Sequence, residues 1–247
     1  MSLKTLIGDN VRAFLKLAFP SKVDRFLSQV KADNAAFDAR YGAETADDIR
    51  GNNYDAKRGQ EVAETTGLYQ CVHEGALRAI IEALAPAPEE FEFIDIGSGK
   101  GKALMVAATY PFRRVRGIEI LPALHAAAEE NLRSFKSAGH VQCADVSSVC
   151  GDALQIADLS GDVLVLLFNA LPPDPMRAFV ERLGQELGSA RVTLAYLTPD
   201  AREALDESSA FRCLLETDRL LVYGSAGVTI SDTASEGLRR RFNSWQA

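Results

Sequence analysis

The stretch Phe91–Tyr110, "FEFIDIGSGKGKALMVAATY", joins an apolar run to a glycine-rich segment and then to a segment with helical character. The apolar run is typical of a strand, and Asp95 lies close to its end. Glycine is needed where the backbone adopts positive φ or lies against a ligand without a Cβ in between. The first turn of a following helix offers free N–H groups. The stretch therefore predicts a strand, a glycine loop suited to a ligand, and a helix.

The spacing of the glycines narrows the ligands that the loop can bind. Gly97, Gly99 and Gly101 form G-x-G-x-G, whereas the dinucleotide fingerprint requires G-x-G-x-x-G. A phosphate loop requires Gly-Lys followed by serine or threonine, but Lys100 and Lys102 are followed by glycine and alanine. Neither phosphate-binding pattern is met. A purely structural turn stays open as an alternative at this point.

Two further acids follow short apolar runs later in the chain. Glu119 ends "RRVRGIE", and Asp152 follows "VSSVCG". An acid at the end of the second strand of such a sheet can accept hydrogen bonds from both hydroxyls of an adenosine ribose. Asp152 can meet an adenine amino group, with Ala153 against the ring. The alternative for Glu119 is a solvated glutamate, but it lies between two isoleucines, where an unpaired carboxylate is costly.

Strand and helix patterns alternate after residue 69, which predicts an α/β fold with a mostly parallel, doubly wound sheet. The run Asp162–Ala170 is apolar at successive positions, as in a strand that is buried on both faces. The last strand is expected to be antiparallel. The predicted strands are 91–96, 114–120, 145–150, 162–169, 191–197, 211–215 and 220–223, and the predicted helices are 72–84, 100–109, 122–135 and 174–187.

We interpret residues 1–66 as a helical N-terminal extension and residues 67–247 as the ligand-binding domain. Helical spacing predicts helices over 3–19 and 21–30. The polar segment 33–66 is predicted to be a loop with short helical pieces, either a lid over the ligand or a mobile linker. The helix over 3–19 can pack on its own core or on a second subunit, which would give a homodimer.

Composition excludes several classes of protein. The chain has 27 basic and 34 acidic residues, a formal charge of −7, which argues against broad binding to nucleic acid. No apolar run approaches the ~20 residues that a membrane span requires, and no secretory signal is evident. The four cysteines are scattered, which argues against a disulfide framework or a zinc site. We expect a cytoplasmic protein without a metal.

The motifs "FIDIGSGKGKA", "GIEI", "GDA" and "LLFNALP", in this order, resemble those of class I S-adenosylmethionine-dependent methyltransferases, over about residues 69–223. More narrowly, the chain is similar to bacterial members of unassigned substrate and to protein-lysine methyltransferases of the nucleosome-core and mitochondrial types. The resemblance implies a Rossmann-like sheet of seven strands. It also implies S-adenosylmethionine as cofactor.

The resemblance assigns the methionine end of the cofactor to the first acid and the glycine loop, the ribose to the second acid, and the adenine to the third. An aromatic residue before the first helix of the domain, here Tyr69, would lie near the cofactor. The expected cofactor-binding residues are Asp95, Gly97, Ser98, Gly99, Gly101, Glu119, Ile120, Asp152, Ala153 and Asn169.

The methyl acceptor is expected to be a nitrogen, in a protein side chain or a small amine. Asn169 follows the fourth strand, where this class keeps its acceptor-facing residues, and Tyr69 and His73 are the other catalytic candidates. Related amine and amide methyltransferases often have two prolines and an aromatic directly after the asparagine. Here Ala170 and Leu171 intervene and no aromatic follows, which disfavours a base or amide acceptor.

Two other functions compete with this one. The missing acceptor-site aromatic also fits a catalytically silent module that binds the cofactor and acts as a partner or regulatory subunit. A nicotinamide-dependent oxidoreductase is the third alternative, and the G-x-G-x-G spacing disfavours it.

Overall fold

A computed structural model describes residues 20–46, 71–168 and 171–243, with side chains from residue 28 onward. Its centre is one seven-stranded sheet in the order β3-β2-β1-β4-β5-β7-β6. The strands are β1 Phe91–Ile96, β2 Arg114–Glu119, β3 Val146–Cys150, β4 Asp162–Phe168, β5 Arg191–Leu197, β6 Arg212–Glu216 and β7 Leu220–Gly224.

The first five strands are parallel, and β7 inserts antiparallel between β5 and β6. This order confirms the predicted doubly wound, mostly parallel sheet with an antiparallel last strand. The two central strands, β1 and β4, are buried over nearly their whole length because helices cover both faces of the sheet. The unbroken apolar run in the sequence of β4 therefore correctly predicted a strand that is buried on both faces.

Seven α-helices surround the sheet within the described residues. They are α1 Pro20–Tyr41, α2 Glu74–Leu84, α3 Lys102–Ala108, α4 Pro122–Ser137, α5 Pro173–Glu186, α6 Glu203–Asp206 and α7 Asp232–Phe242. One apolar core, on one face of the sheet, includes side chains of α1, α2, α3 and α7, and the other includes those of α5 and α6. No helix of the described segments combines the length and apolarity needed to cross a bilayer.

Helix α1 corrects the prediction for the N-terminal segment. The chain expected to form a loop from residue 33 is instead helical as far as Tyr41, in one helix that begins at Pro20. Between residues 33 and 41 only Asn34, Phe37 and Tyr41 bury their side chains, at helical spacing, so this part of the sequence looks polar. Three inward positions over about two turns give too weak a pattern to recognise in the sequence.

The end of α1 is fixed by local hydrogen bonds. Gly42 follows the helix with φ +63°, the left-handed conformation that commonly ends helices. The carboxylate of Asp38 then accepts hydrogen bonds from the backbone N–H groups of Thr45 and Ala46. Residues 33–46 thus pack on the domain as a fixed element. The helix predicted over 3–19 and the rest of the predicted lid, residues 47–66, lie outside the described residues.

We predict that α1 is an integral part of the folded domain. Replacing Phe37 with alanine should lower the free energy of unfolding by about 3–5 kcal/mol, the usual loss for a buried phenylalanine. Urea denaturation measures this loss, and Lys31→Ala, at an exposed position of the same helix, serves as the control. Equal, small losses in both variants would show that α1 does not belong to the cooperative core.

Candidate functional site

The glycine loop lies at the carboxyl edge of the sheet, beside the point where the strand order reverses between β1 and β4. Gly97, Gly99 and Gly101 have φ values of +72°, +53° and +81°. These values are in the left-handed region, which side chains other than glycine disfavour. The three glycines are therefore required by the backbone path of the loop, and this path explains the G-x-G-x-G spacing.

The loop is held tightly against β2. The backbone N–H groups of Gly97 and Ser98 donate to the carbonyl of Ile118 at 2.8 and 3.2 Å. A Cβ at Gly117 would lie 2.6 Å from the Ser98 hydroxyl oxygen, so β2 has room for the loop only because residue 117 is glycine. The Ser98 hydroxyl is buried and has no hydrogen-bond partner within the described residues. This hydroxyl can therefore form a hydrogen bond with a ligand bound at the loop.

Glu119 ends β2 and fastens the loop from the side. Its carboxylate accepts hydrogen bonds from the N–H groups of Gly99 and Leu121, each at 2.8 Å. The side chain is only 4% exposed, and burial raises its pKa, although these backbone hydrogen bonds act in the opposite direction. The expected alternative, a solvated glutamate, is excluded. A carboxylate has about four acceptor positions, so the two bonds leave capacity for a ligand hydroxyl.

Asp95, on β1, is the second buried carboxylate of the site. It is 5% exposed, and burial, reinforced by the negative charge of Glu119, raises its pKa well above the ordinary range. Two neighbouring buried carboxylates that both disfavour ionisation form a place where a bound cation is stabilised. The site therefore favours a positively charged ligand group.

Asp152 lies at the end of the same edge, after β3. One of its carboxylate oxygens accepts a hydrogen bond from the N–H of Leu154 at 2.9 Å and so begins a short 3₁₀ turn, Ala153–Gln155. Ala153 is buried, whereas Val149 and Leu154 are the large apolar side chains left exposed here. Exposed apolar surface next to a free carboxylate oxygen matches a flat heteroaromatic ring with an amino group.

A small, partly open cleft lies between β1, β4 and the start of α3. This is the switch point of the sheet, where open α/β folds bind their ligands. Among the predicted residues, Asp95, Gly97 and Ser98 line the cleft. Glu119 does not line it, but its carboxylate is hydrogen-bonded to Gly99 of the same loop. Within the described residues the lining comprises Cys71, Val72, Asp95, Gly97, Ser98, Lys102, Ala103, Leu166 and Phe168.

One charged residue of this cleft, Lys102, was not predicted from the sequence. Lys102 begins α3 and is 3% exposed, and its ammonium group donates a hydrogen bond to Oδ1 of Asn34 at 2.6 Å. Its neighbours in α3 are apolar and buried, a signal that a lysine among them points inward. Lys100, in the glycine loop, is also buried, and the side chain of Asn131 on α4 donates a hydrogen bond to its backbone carbonyl.

Thr198 is a second residue that the sequence did not reveal. It follows β5, whose last residue Leu197 pairs with Phe168, and it has φ +49°, a strained value for a β-branched residue. Its hydroxyl is buried without a hydrogen-bond partner in the described part of the chain. Backbone strain of this kind is commonly found at functional sites.

Of the three catalytic candidates, only His73 lies within the described residues. Tyr69 and Asn169 lie outside the described residues. His73 caps α2 beside the lining residue Val72, but its Nε2 lies 3.1 Å from the carboxylate of Asp33 on α1. His73 is not among the lining residues of the cleft, and its catalytic role stays a prediction.

Comparison with known proteins adds similarities of fold. No protein-family model and no curated protein matches the chain. Solved structures with similar folds include magnesium protoporphyrin IX methyltransferase from Synechocystis PCC 6803 with bound S-adenosylmethionine. The two share 16% identity and a TM-score of 0.47, covering 62% of this chain and 80% of the other.

Two further structures are similar at the same level. An RNA methyltransferase from Salinibacter ruber, in complex with S-adenosylhomocysteine, has 22% identity and a TM-score of 0.44, covering 64% of this chain and 92% of the other. Ribosomal protein L11 methylase from Lactobacillus delbrueckii subsp. bulgaricus has 15% identity and a TM-score of 0.43, with coverages of 61% and 77%. At these scores the similarities identify no substrate.

We predict that Asp95 lowers the stability of the ligand-free protein. Its raised pKa means that the folded state prefers the protonated carboxyl. The free energy of unfolding is therefore not reduced by Asp95 below the unfolded pKa of about 3.9, and it falls as the pH rises through the folded pKa, where the buried carboxyl must ionise. Asp95→Asn should therefore raise the unfolding temperature at pH 8, by about 2–4 °C for each kcal/mol relieved, and the gain should vanish toward pH 4.

Thermal unfolding followed by circular dichroism between pH 4 and 8 measures this difference. The exposed Asp218→Asn is the matched control and should show no such trend. If the Asp95→Asn variant is less stable than the wild type at pH 8, the carboxylate is stabilising and the electrostatic description of the site is wrong.

Proposed function

We propose that this chain is an S-adenosylmethionine-dependent methyltransferase whose acceptor is a nitrogen of a protein side chain or a small amine. One observation carries the proposal. Two buried carboxylates, Asp95 and Glu119, end adjacent parallel strands on either side of a left-handed glycine loop, next to a cleft at the switch point of the sheet. This arrangement suits a ligand that combines a positive charge with vicinal hydroxyls.

The acids on β1 and β2 and the one after β3 lie along the sheet in the same order as the amino-acid end, the ribose and the adenine of this cofactor. The raised pKa of Asp95 favours a cationic amino group or sulfonium nearby, since the positive charge would stabilise the ionised carboxylate. The remaining acceptor capacity of Glu119 suits the ribose hydroxyls. The second carboxylate oxygen of Asp152 and the side chain of Ala153 suit the adenine, and the half-buried Ile120 directly follows Glu119 in the chain.

S-adenosylmethionine supplies a methyl group on a positively charged sulfur, from which an attacking nitrogen can take it directly. The protein then has to align the acceptor with the methyl carbon and exclude water. Phe168 and Leu166 form the apolar wall of the cleft and exclude water there. An acceptor that enters as an ammonium group would have to release its proton, for example to water, before its nitrogen lone pair could act as the nucleophile.

The nitrogen acceptor is supported by charge. The net charge of −7 attracts a basic substrate such as a lysine side chain, and it disfavours a polyanionic one. A silent cofactor-binding module is the second candidate, because no aromatic side chain lies between Leu171 and Met176, where amine and amide methyltransferases often carry one.

Isothermal titration with S-adenosylhomocysteine tests the shared premise of both candidates. We expect saturable binding that Glu119→Gln weakens by at least about tenfold, because charge-assisted hydrogen bonds contribute about 1.5–3 kcal/mol. Glu129→Gln, at an exposed position of α4, is the matched control and should bind as the wild type does. Saturable binding of NADH without binding of S-adenosylhomocysteine would instead support the oxidoreductase.

Methyl transfer distinguishes the enzyme from the silent module. The protein, incubated with radiolabelled S-adenosylmethionine and a cell lysate, should transfer label to a protein or small-amine fraction, and Asp95→Asn should transfer little. Label in nucleic acid would refute the nitrogen acceptor of protein or amine type. Cofactor binding without any transfer would identify the silent module.

A further inference from the structure

We infer that Lys102, held in place by Asn34 and Phe37 of helix α1, binds the carboxylate of the ligand's α-amino-acid end. This inference rests on the proposed function and adds a residue and an element to the binding site. It makes the N-terminal helix part of the cofactor site, rather than an appendage to it.

The first argument is the environment of the Lys102 ammonium group. It donates to Asn34 Oδ1 at 2.6 Å and lies 4.8 Å from the centre of the Phe37 ring. Burial lowers the pKa of Lys102, and the nearby groups of Cys71, Asp38, Glu74 and Asp33 counteract this through space, with Sγ of Cys71 4.0 Å from the ammonium nitrogen. Among the described residues no carboxylate contacts this buried cation, which is costly, so a carboxylate bound there would be stabilised.

The second argument is geometric. Lys102 and Asp95 line the same cleft, one at the start of α3 and the other at the end of β1. One cation and one carboxylate in a single small cleft match a zwitterion, which carries an ammonium and a carboxylate on one carbon. An ammonium group has three donors; within the described residues one is directed at Asn34 and a second, weaker one at Sγ of Cys71, 4.0 Å away, which leaves donor capacity for a ligand oxygen.

The third argument concerns how the lysine is positioned. Asn34 is buried, and Phe37 is among the most deeply buried aromatic side chains of the core. The segment after α1 reaches the glycine loop as well, because Glu44 N–H donates to the side chain of Asn131, which in turn donates to the carbonyl of Lys100. The side chain of Lys102 is thus fixed before any ligand arrives, which lowers the ordering cost of binding.

Titration calorimetry with three probes tests the inference: S-adenosylhomocysteine, its decarboxylated analogue, and 5′-methylthioadenosine. The wild type should bind S-adenosylhomocysteine at least about tenfold more tightly than the decarboxylated analogue. Lys102→Met, which keeps the length of the side chain without its charge, should abolish this preference. Its affinity for the two probes without a carboxylate should stay within about twofold of the wild type.

Lys136→Met, the same substitution at an exposed position of α4, is the control and should leave all three affinities unchanged. An equal loss of affinity for all three probes in Lys102→Met would assign the lysine a structural role and overturn the inference. If that variant does not fold, the wild type decides: equal affinity for S-adenosylhomocysteine and its decarboxylated analogue overturns it. Binding of none of the probes by the wild type would refute the proposed function itself.

Discussion

The site depends on two buried carboxylates near the ends of neighbouring strands, both of which resist ionisation in the ligand-free protein. Asp95 lies near the end of β1 and Glu119 ends the adjacent parallel strand β2, so the sheet register itself brings them to one edge. Glu119 is stabilised by backbone N–H groups of the glycine loop, whereas Asp95 has its pKa raised by burial and by Glu119. The protein thus keeps a costly charge beside a cleft, as functional sites commonly do.

The glycine loop makes this arrangement possible. Its three left-handed glycines let the backbone turn sharply enough for Gly99 N–H to reach Glu119, and Gly117 leaves the room that Ser98 occupies. A side chain at any of these positions would displace the loop from β2 and open the Glu119 carboxylate to water. The loop is therefore a support for the acids as well as a surface for the ligand.

The sequence predicted the features of the fold that are encoded in short, local segments. The glycine spacing, the apolar run of β4, the acid at the end of β2 and the acid after β3 are local patterns. They were sufficient to predict the strands and the position of the site at the carboxyl edge of the sheet. Helix α1 beyond residue 30 and the inward direction of Lys102 depend on contacts between residues 68 positions apart, namely Asn34 and Lys102. Such contacts leave no periodic signal in the sequence of α1, and the local signal for Lys102 is the apolar run Ala103–Ala108 that follows it.

The most direct test of the central claim is a crystal structure of the protein grown with S-adenosylhomocysteine. The account predicts the amino-acid end of the ligand in the cleft beside Asp95 and the ribose hydroxyls about 3 Å from the Glu119 carboxylate. The adenine should lie against Ala153. A ligand bound elsewhere, or a Glu119 carboxylate that still contacts only Gly99 and Leu121 with the ligand present, would contradict it.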